Sequence, residues 1–233
     1  QIANPAFRDY ASFSSSGPRS GDSSISPDVA APGVSISSVA VGTGGDASVL
    51  SGTSMAAPHV AGVAALTVQA HPTWDTERIS AAIVSTADPD GVARINPTRG
   101  GVGLVDTAQA VRTTVTATGD SFRTDSGRVR EAALSFGFDE SSSTLGGTKK
   151  VTVRNDGKKS VTFTVSTQAS PQSVKAKVTT STKKVTVKPG RTESVRVTVS
   201  APASSVPGSL SADDQFSFAE ISGDVVFTAP GST

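Results

Sequence analysis

Residues 51–62 read S-G-T-S-M-A-A-P-H-V-A-G and set one serine, Ser54, just after a glycine turn at the opening of a helical stretch. The first N–H groups of a helix have no intrahelical acceptor, and the aligned peptide dipoles put partial positive charge there. Negative charge developing beside the Ser54 hydroxyl is therefore stabilised, which is what an acyl-transfer nucleophile needs. Such a hydroxyl is a poor nucleophile until a histidine takes its proton and a carboxylate holds that histidine in the right tautomer.

The elements that must position Ser54 show in the pattern around it. Apolar residues from Met55 to Ala70 fall on every side of a helical wheel, and a helix apolar all round is expected to be buried all round. Pro58 is tolerated near its start, where N–H groups lack partners anyway. A second helix is expected over about Thr76 to Thr86, with Thr73 or Asp75 as its cap, and a short third one over about Asp106 to Arg112. Upstream, Tyr10 to Ser14 and Ser35 to Val41 read as strands. Two strands and two further helices cannot cover a central apolar helix. The expectation is therefore that residues 1–112 form the C-terminal part of a larger α/β domain.

Past Arg112 the pattern changes to period two. K-K-V-T-V-R (149–154) and S-V-T-F-T-V-S (160–166) alternate around Asn155-Asp156-Gly157, a turn sequence suited to a hairpin. Further strands are expected at Ala132 to Phe138, Val174 to Val178, Lys184 to Val187, Ser194 to Ser200 and Ile221 to Thr228, with a turn at Pro189-Gly190. Short alternating strands at this spacing suggest an all-β antiparallel sandwich over 113–233. The charge shifts at the same place: residues 1–112 carry 6 Arg against 9 Asp/Glu, net −3, and residues 113–233 carry 15 Lys/Arg against 11, net +4. All nine lysines lie at or beyond Lys149, alternating with valine and threonine as the solvated side of a sheet would. No cysteine is present, so disulfides and thiolate metal sites are excluded, and no apolar run is long enough to span a bilayer.

On five ordered motifs the first half resembles the C-terminal part of the catalytic domain of a subtilisin-like serine protease, a subtilase. They are Y-A-S-F-S-S-S-G (10–17), S-P-D-V-A-A-P-G (26–33), G-T-S-M-A-A-P-H-V-A-G (52–62), H-P-T-W (71–74) and G-V-G-L-V-D (101–106). The second half resembles, less specifically, the fibronectin type III-like domain that follows the protease domain in larger secreted subtilases. The resemblance implies an incomplete parallel-sheet α/β domain at 1–112, followed by the sandwich at 113–233. It implies Ser54 as nucleophile of a secreted or cell-surface endopeptidase, its backbone N–H as one oxyanion donor, and Gly52 and Thr53 as shapers of that loop. No cofactor is required, structural calcium is left open, and neither nucleic acid nor a membrane span is implied.

The remaining catalytic groups have no match. His59 lies five residues after Ser54, on another side of the helix, and reads as the family's non-catalytic helix histidine. His71 precedes Pro72 in a turn and reads as structural. Asp125-Ser126-Gly127 spells the short signature of the catalytic aspartate, yet it follows polar residues and lies downstream of the serine, against the family's order. Asp22, Asp28 and Asp46 sit in loops without the expected strand-end context. No oxyanion-hole asparagine or primary specificity pocket is matched. In subtilisin, the measured case, losing serine or histidine alone costs about 10⁶ in turnover. The expectation is that this chain alone is inactive and that an N-terminal part of the same precursor supplies histidine and aspartate. The alternative reading is a non-enzymatic adhesion or wall-binding protein that uses the sandwich.

Overall fold

The structure is a computed structural model in which residues 8–93, 95–125, 127–140, 142–208 and 218–230 are described. The chain divides into two compact units. The first holds the described residues up to Gly17 together with Ser26–Thr113, and the second holds Pro18–Ile25 together with the described residues from Thr114 on.

In the first unit an antiparallel hairpin, β1 (Ile36–Val39) and β2 (Ala47–Leu50), leads into α1 (Thr53–Ala70), followed by α2 (Thr76–Ser85), α3 (Pro97–Gly100) and α4 (Thr107–Arg112). The three later helices begin on a side-chain cap. The carboxylate of Asp75 accepts from Arg78 N–H at 2.9 Å, the amide oxygen of Asn96 from Thr98 N–H at 2.9 Å, and the carboxylate of Asp106 from Gln109 N–H at 2.9 Å. Of the two caps open for α2, Asp75 serves. Ile79 and Ile83 of α2 pack with Val63 of α1 and Ala110 of α4 in one buried cluster.

Two expectations differ from the structure here. Tyr10 to Ser14 forms no strand: the Ala11 and Ser14 carbonyls accept from the Arg99 guanidinium at 3.2 and 3.4 Å instead of from a neighbouring strand. Among the described residues α1 is covered along one stripe only. Val63 and Thr67 are buried and Val60 and Ala64 partly so, whereas Ala57, Ala61 and Ala65 are exposed and Leu66 and Val68 keep 47% and 49% of their surface. Among the described residues every ladder is antiparallel, and parallel pairing is confined to a single bridge, Ala30 with Leu104.

The second unit contains β3 (Val115–Thr118), β4 (Phe122–Thr124), β5 (Gly127–Val129), β6 (Thr144–Asn155), β7 (Val161–Ala169), β8 (Lys177–Thr180), β9 (Lys184–Val187), β10 (Arg191–Pro202) and β11 (Gly223–Thr228). One sheet runs β3-β6-β10-β8, another β11-β7-β9, and β4 pairs with β5. Alternation sends every second side chain inward. Val151, Val153, Val195 and Val197 from the first sheet and Val165, Val185 and Val187 from the second share one core. Ala132 to Phe138 makes no ladder, and the strand expected near Val174 forms as Lys177–Thr180.

The connection at Asn155 is not a hairpin. β6 and β7 join different sheets, and Gly157 does not take a positive φ. The turn is organised by Asn155, whose residue is 0% exposed. Its amide NH₂ donates to the Lys159 carbonyl at 2.8 Å and the Val187 carbonyl at 2.9 Å, while its amide oxygen accepts from Gly157 N–H at 2.8 Å. The Asn155 carbonyl takes the N–H of Gly190 at 2.8 Å, so this residue also holds the β9–β10 turn. A Cβ on Gly157 would stand 2.7 Å from the Thr114 hydroxyl, which explains the glycine.

Candidate active site

The serine loop is built from the hairpin outward. β2 ends at Leu50, the Ser51 hydroxyl accepts from Ser35 N–H at 2.8 Å, and Gly52 N–H donates to the Gly33 carbonyl at 2.8 Å. A Cβ at Gly33 would approach the Gly52 carbonyl oxygen to 2.8 Å, so the loop rests directly on a glycine of the 26–33 segment. Gly52 stands at the cap position of α1 in an extended conformation, φ 162° and ψ 160°, and no side chain caps the helix. Thr53 and Ser54 then form the first helical positions. Ser54 is exposed, and its hydroxyl has no hydrogen-bond partner among the described residues. No side chain takes up the first N–H groups of α1, of which that of Met55 donates back to the Gly52 carbonyl at 3.0 Å.

The segment beneath the loop is itself tied down. Ala30 N–H donates to Gly103 at 2.8 Å and Val105 N–H to Ala30 at 2.9 Å, while Val102 N–H reaches Asp28 at 3.0 Å. Gly101, at φ +59°, lies so close that a Cβ would overlap the Asp28 carbonyl. Leu104 in turn exchanges two backbone hydrogen bonds with Asp88, at 2.7 and 2.8 Å. The segment 10–17 joins through Tyr10, whose hydroxyl accepts from Asn96 N–H at 2.9 Å, and through Gly17 N–H on the Thr98 carbonyl at 2.6 Å. Arg99 stacks on the Tyr10 ring, and burial raises the phenol's pKa. Thus 10–17, 26–33, 52–62 and 101–106 are one hydrogen-bonded frame. The roles of Asn96, Arg99 and Asp88 in it carry no local signal in the sequence, because each acts through backbone groups far along the chain.

Neither histidine is offered to Ser54. The His59 ring donates through Nδ1 to the Met55 carbonyl at 2.8 Å, one turn back along its own helix. His71 stacks on Trp74, ring centroids 3.9 Å apart and nearly parallel, and donates through Nε2 to the Val111 carbonyl at 2.9 Å. Because a carbonyl only accepts, each contact fixes which nitrogen carries the proton. His71 therefore clamps the end of α1 to α4.

The carboxylates are equally scattered. Asp125 sits in the β4–β5 turn of the second unit, its N–H donating to the Asp22 carboxylate at 3.2 Å. The Ser24 hydroxyl and N–H hold the Asp22 carboxyl below its ordinary pKa. Asp46 lies in the exposed β1–β2 turn. Asp28 is partly buried beneath the serine loop, and desolvation pushes its carboxyl pKa up. Asp88 caps the turn Pro89–Gly91 through Asp90 N–H at 2.9 Å. Among the described residues no three acidic or histidine side chains converge as a metal would require.

Comparison with known proteins shows the family. The model of the subtilase family matches residues 5–138, running past Arg112 into the first strands of the second unit. The CO(2)-response secreted protease of Arabidopsis thaliana is 50% identical over 88 residues, covering 32% of this chain and 11% of that protein. Subtilisin-like protease SBT4.14 from the same plant is 45% identical over 91 residues, covering 34% and 12%. Subtilisin-like protease SBT3.10, also from Arabidopsis thaliana, is 43% identical over 119 residues, covering 44% and 16%. The chain thus spans between a tenth and a sixth of the length of these relatives. No helix among the described residues is long and apolar enough to cross a membrane.

Proposed function

This chain belongs to the subtilase family of serine proteases, and from that premise we propose that it is the serine-bearing part of a secreted endopeptidase. Ser54 attacks a peptide carbonyl to form an acyl-enzyme, and its own N–H at the uncapped start of α1 donates to the oxyanion. Gly52 and Thr53 shape the loop. The observation that carries this reading is an exposed, unpartnered serine hydroxyl on a rigid frame, at a helix start that no side chain caps.

The catalytic base and orienting acid come from an N-terminal part of the same precursor, which also supplies the parallel sheet that covers the exposed face of α1. Support comes from Leu66 and Val68, half exposed on a helix with no polar face, and from both histidines being engaged elsewhere. In this reading residues 1–112 complete a subtilisin-like domain and 113–233 form a fibronectin type III-like sandwich. The two antiparallel sheets around one valine core support the latter. The substrate is a peptide or protein.

The test is active-site labelling with a fluorophosphonate probe. The chain alone stays unlabelled, because without a base the hydroxyl loses about 10⁶ in turnover, as measured in subtilisin itself. Co-expression with the preceding part of its precursor restores labelling, and Ser54→Ala abolishes it. Specific labelling of Ser54 in the chain alone, or none in the complemented protein, overturns the reading.

A further inference from the structure

The stretch from β6 to β10, residues 144–202, carries twelve Lys/Arg against two acidic residues, a net charge of +10 in a chain whose total is +1. Four of these cations stand where β6 turns into β7 and β9 into β10. Lys158, Lys159, Lys188 and Arg191 are all exposed there, and none forms an ion pair among the described residues. The single carboxylate of these turns, Asp156, is taken by Arg154 at 2.8 Å. The two turns are held together by Asn155, which bonds to Lys159, Val187 and Gly190 from a fully buried position. Four like charges are thus carried on two turns whose backbones a buried polar residue holds side by side. Such an arrangement repels itself until an anion is present.

From this we infer that the two turns stapled by Asn155 are a docking surface for an acidic polysaccharide, a polymer bearing a carboxylate on most of its sugars. Hydroxyls stand beside the turns, those of Thr162 and Thr186 bonded to each other on one sheet and those of Thr192 and Ser194 flanking the exposed Glu193 on the other, and they are suited to hydrogen bonding with sugar hydroxyls. Unpaired nucleic acid is bound by stacking on exposed aromatic rings, and none stands in these turns. Nor do they offer a helix or ribbon to enter a duplex groove. An anionic membrane would call for apolar anchors as well. The large hydrophobics exposed in this unit, Phe138 and Phe218, belong to other segments. The inference is independent of Ser54 and its partners.

The experiment measures binding of the full chain to labelled polygalacturonate by fluorescence anisotropy, at an ionic strength where the Debye length exceeds about 10 Å. The chain binds, binding disappears in molar salt, and a neutral galactan does not bind. Replacing Lys158, Lys159, Lys188 and Arg191 together by Gln weakens binding about tenfold or more. A control lacking four exposed cations elsewhere, Lys175, Lys177, Lys183 and Lys184, loses less than about threefold. Thermal melting of both variants verifies the fold, and the pair Lys158→Gln/Lys188→Gln substitutes if the quadruple variant does not fold. Failure to bind polygalacturonate, equal weakening of both variants, or tighter binding to single-stranded DNA or anionic vesicles at the same salt overturns the inference.

Discussion

Replacing Asn155 by Ala removes three hydrogen bonds made by a fully buried side chain. The Lys159 and Val187 carbonyls lose a donor, and Gly157 N–H loses its acceptor. A net hydrogen bond contributes about 1 kcal/mol, and a buried group left unsatisfied costs about 1–3 kcal/mol. Because Lys159 and Gly157 lie in a turn that water reaches after a small shift, the low end, about 1 kcal/mol, applies to each of these two groups and the whole range of about 1–3 kcal/mol to the Val187 carbonyl. The expected loss is about 3–5 kcal/mol. Unfolding entropy of about 2.1 cal/mol/K per residue, over a unit of roughly 120 residues, converts this to a Tm lower by about 12–20 °C. Asn155→Asp separates the roles. It keeps the acceptor for Gly157 N–H but sets a carboxylate against two carbonyls, so at neutral pH it destabilises at least as much, and the loss shrinks as acid protonates it. Calorimetry of the second unit's transition, with a probe in its valine core to assign it, decides. A Tm within about 3 °C of the parent for Asn155→Ala would refute the claim that this side chain holds the two turns together.

Gly33→Ala is expected to lift the serine loop, because its Cβ would press on the Gly52 carbonyl at 2.8 Å and on the Ala56 side chain at 3.3 Å. Overpacking of this kind costs about 1–3 kcal/mol, and in the complemented enzyme it lowers kcat more than it raises KM; unchanged kinetics would contradict the frame described for Ser54. His71→Phe keeps the stack on Trp74 but loses the bond to Val111, destabilising the first unit by about 1–2 kcal/mol in urea titrations without a change in the pH profile of the complemented enzyme; a shifted profile would mean that His71 takes part in proton transfer. Burial raises the Asp224 carboxyl pKa in the folded state, so the folded protein binds the proton more tightly than the unfolded chain and stability falls as pH rises from the ordinary value of 3.8 through the raised one. Asp224→Asn removes that penalty and raises the neutral-pH Tm, with the difference vanishing near pH 3; a lower Tm at pH 7 would show that the carboxylate is stabilised by contacts instead.

Family membership lay in contiguous motifs, and so it was legible. Ser54 between a glycine turn and an apolar helix is recognisable without coordinates, because the helix start, its dipole and its glycine are all local. The same holds for α2, though its cap was settled between Thr73 and Asp75 only by the structure, and for β9 and β10, whose valines alternate with period two. What the tertiary structure decided is where partners come from. Periodicity carries no information about sheet membership, so β6 and β7 read as a hairpin although they separate into two sheets, with Asn155 spent on the corner. Arg99 diverted 10–14 from strand pairing through carbonyl contacts 85 and 88 residues apart in sequence. Pro18–Ile25 belongs to the second unit although both its flanks belong to the first. The Arg99 and Asn155 contacts end on backbone carbonyls, which every residue carries alike, so which carbonyls they reach is settled only when distant segments meet.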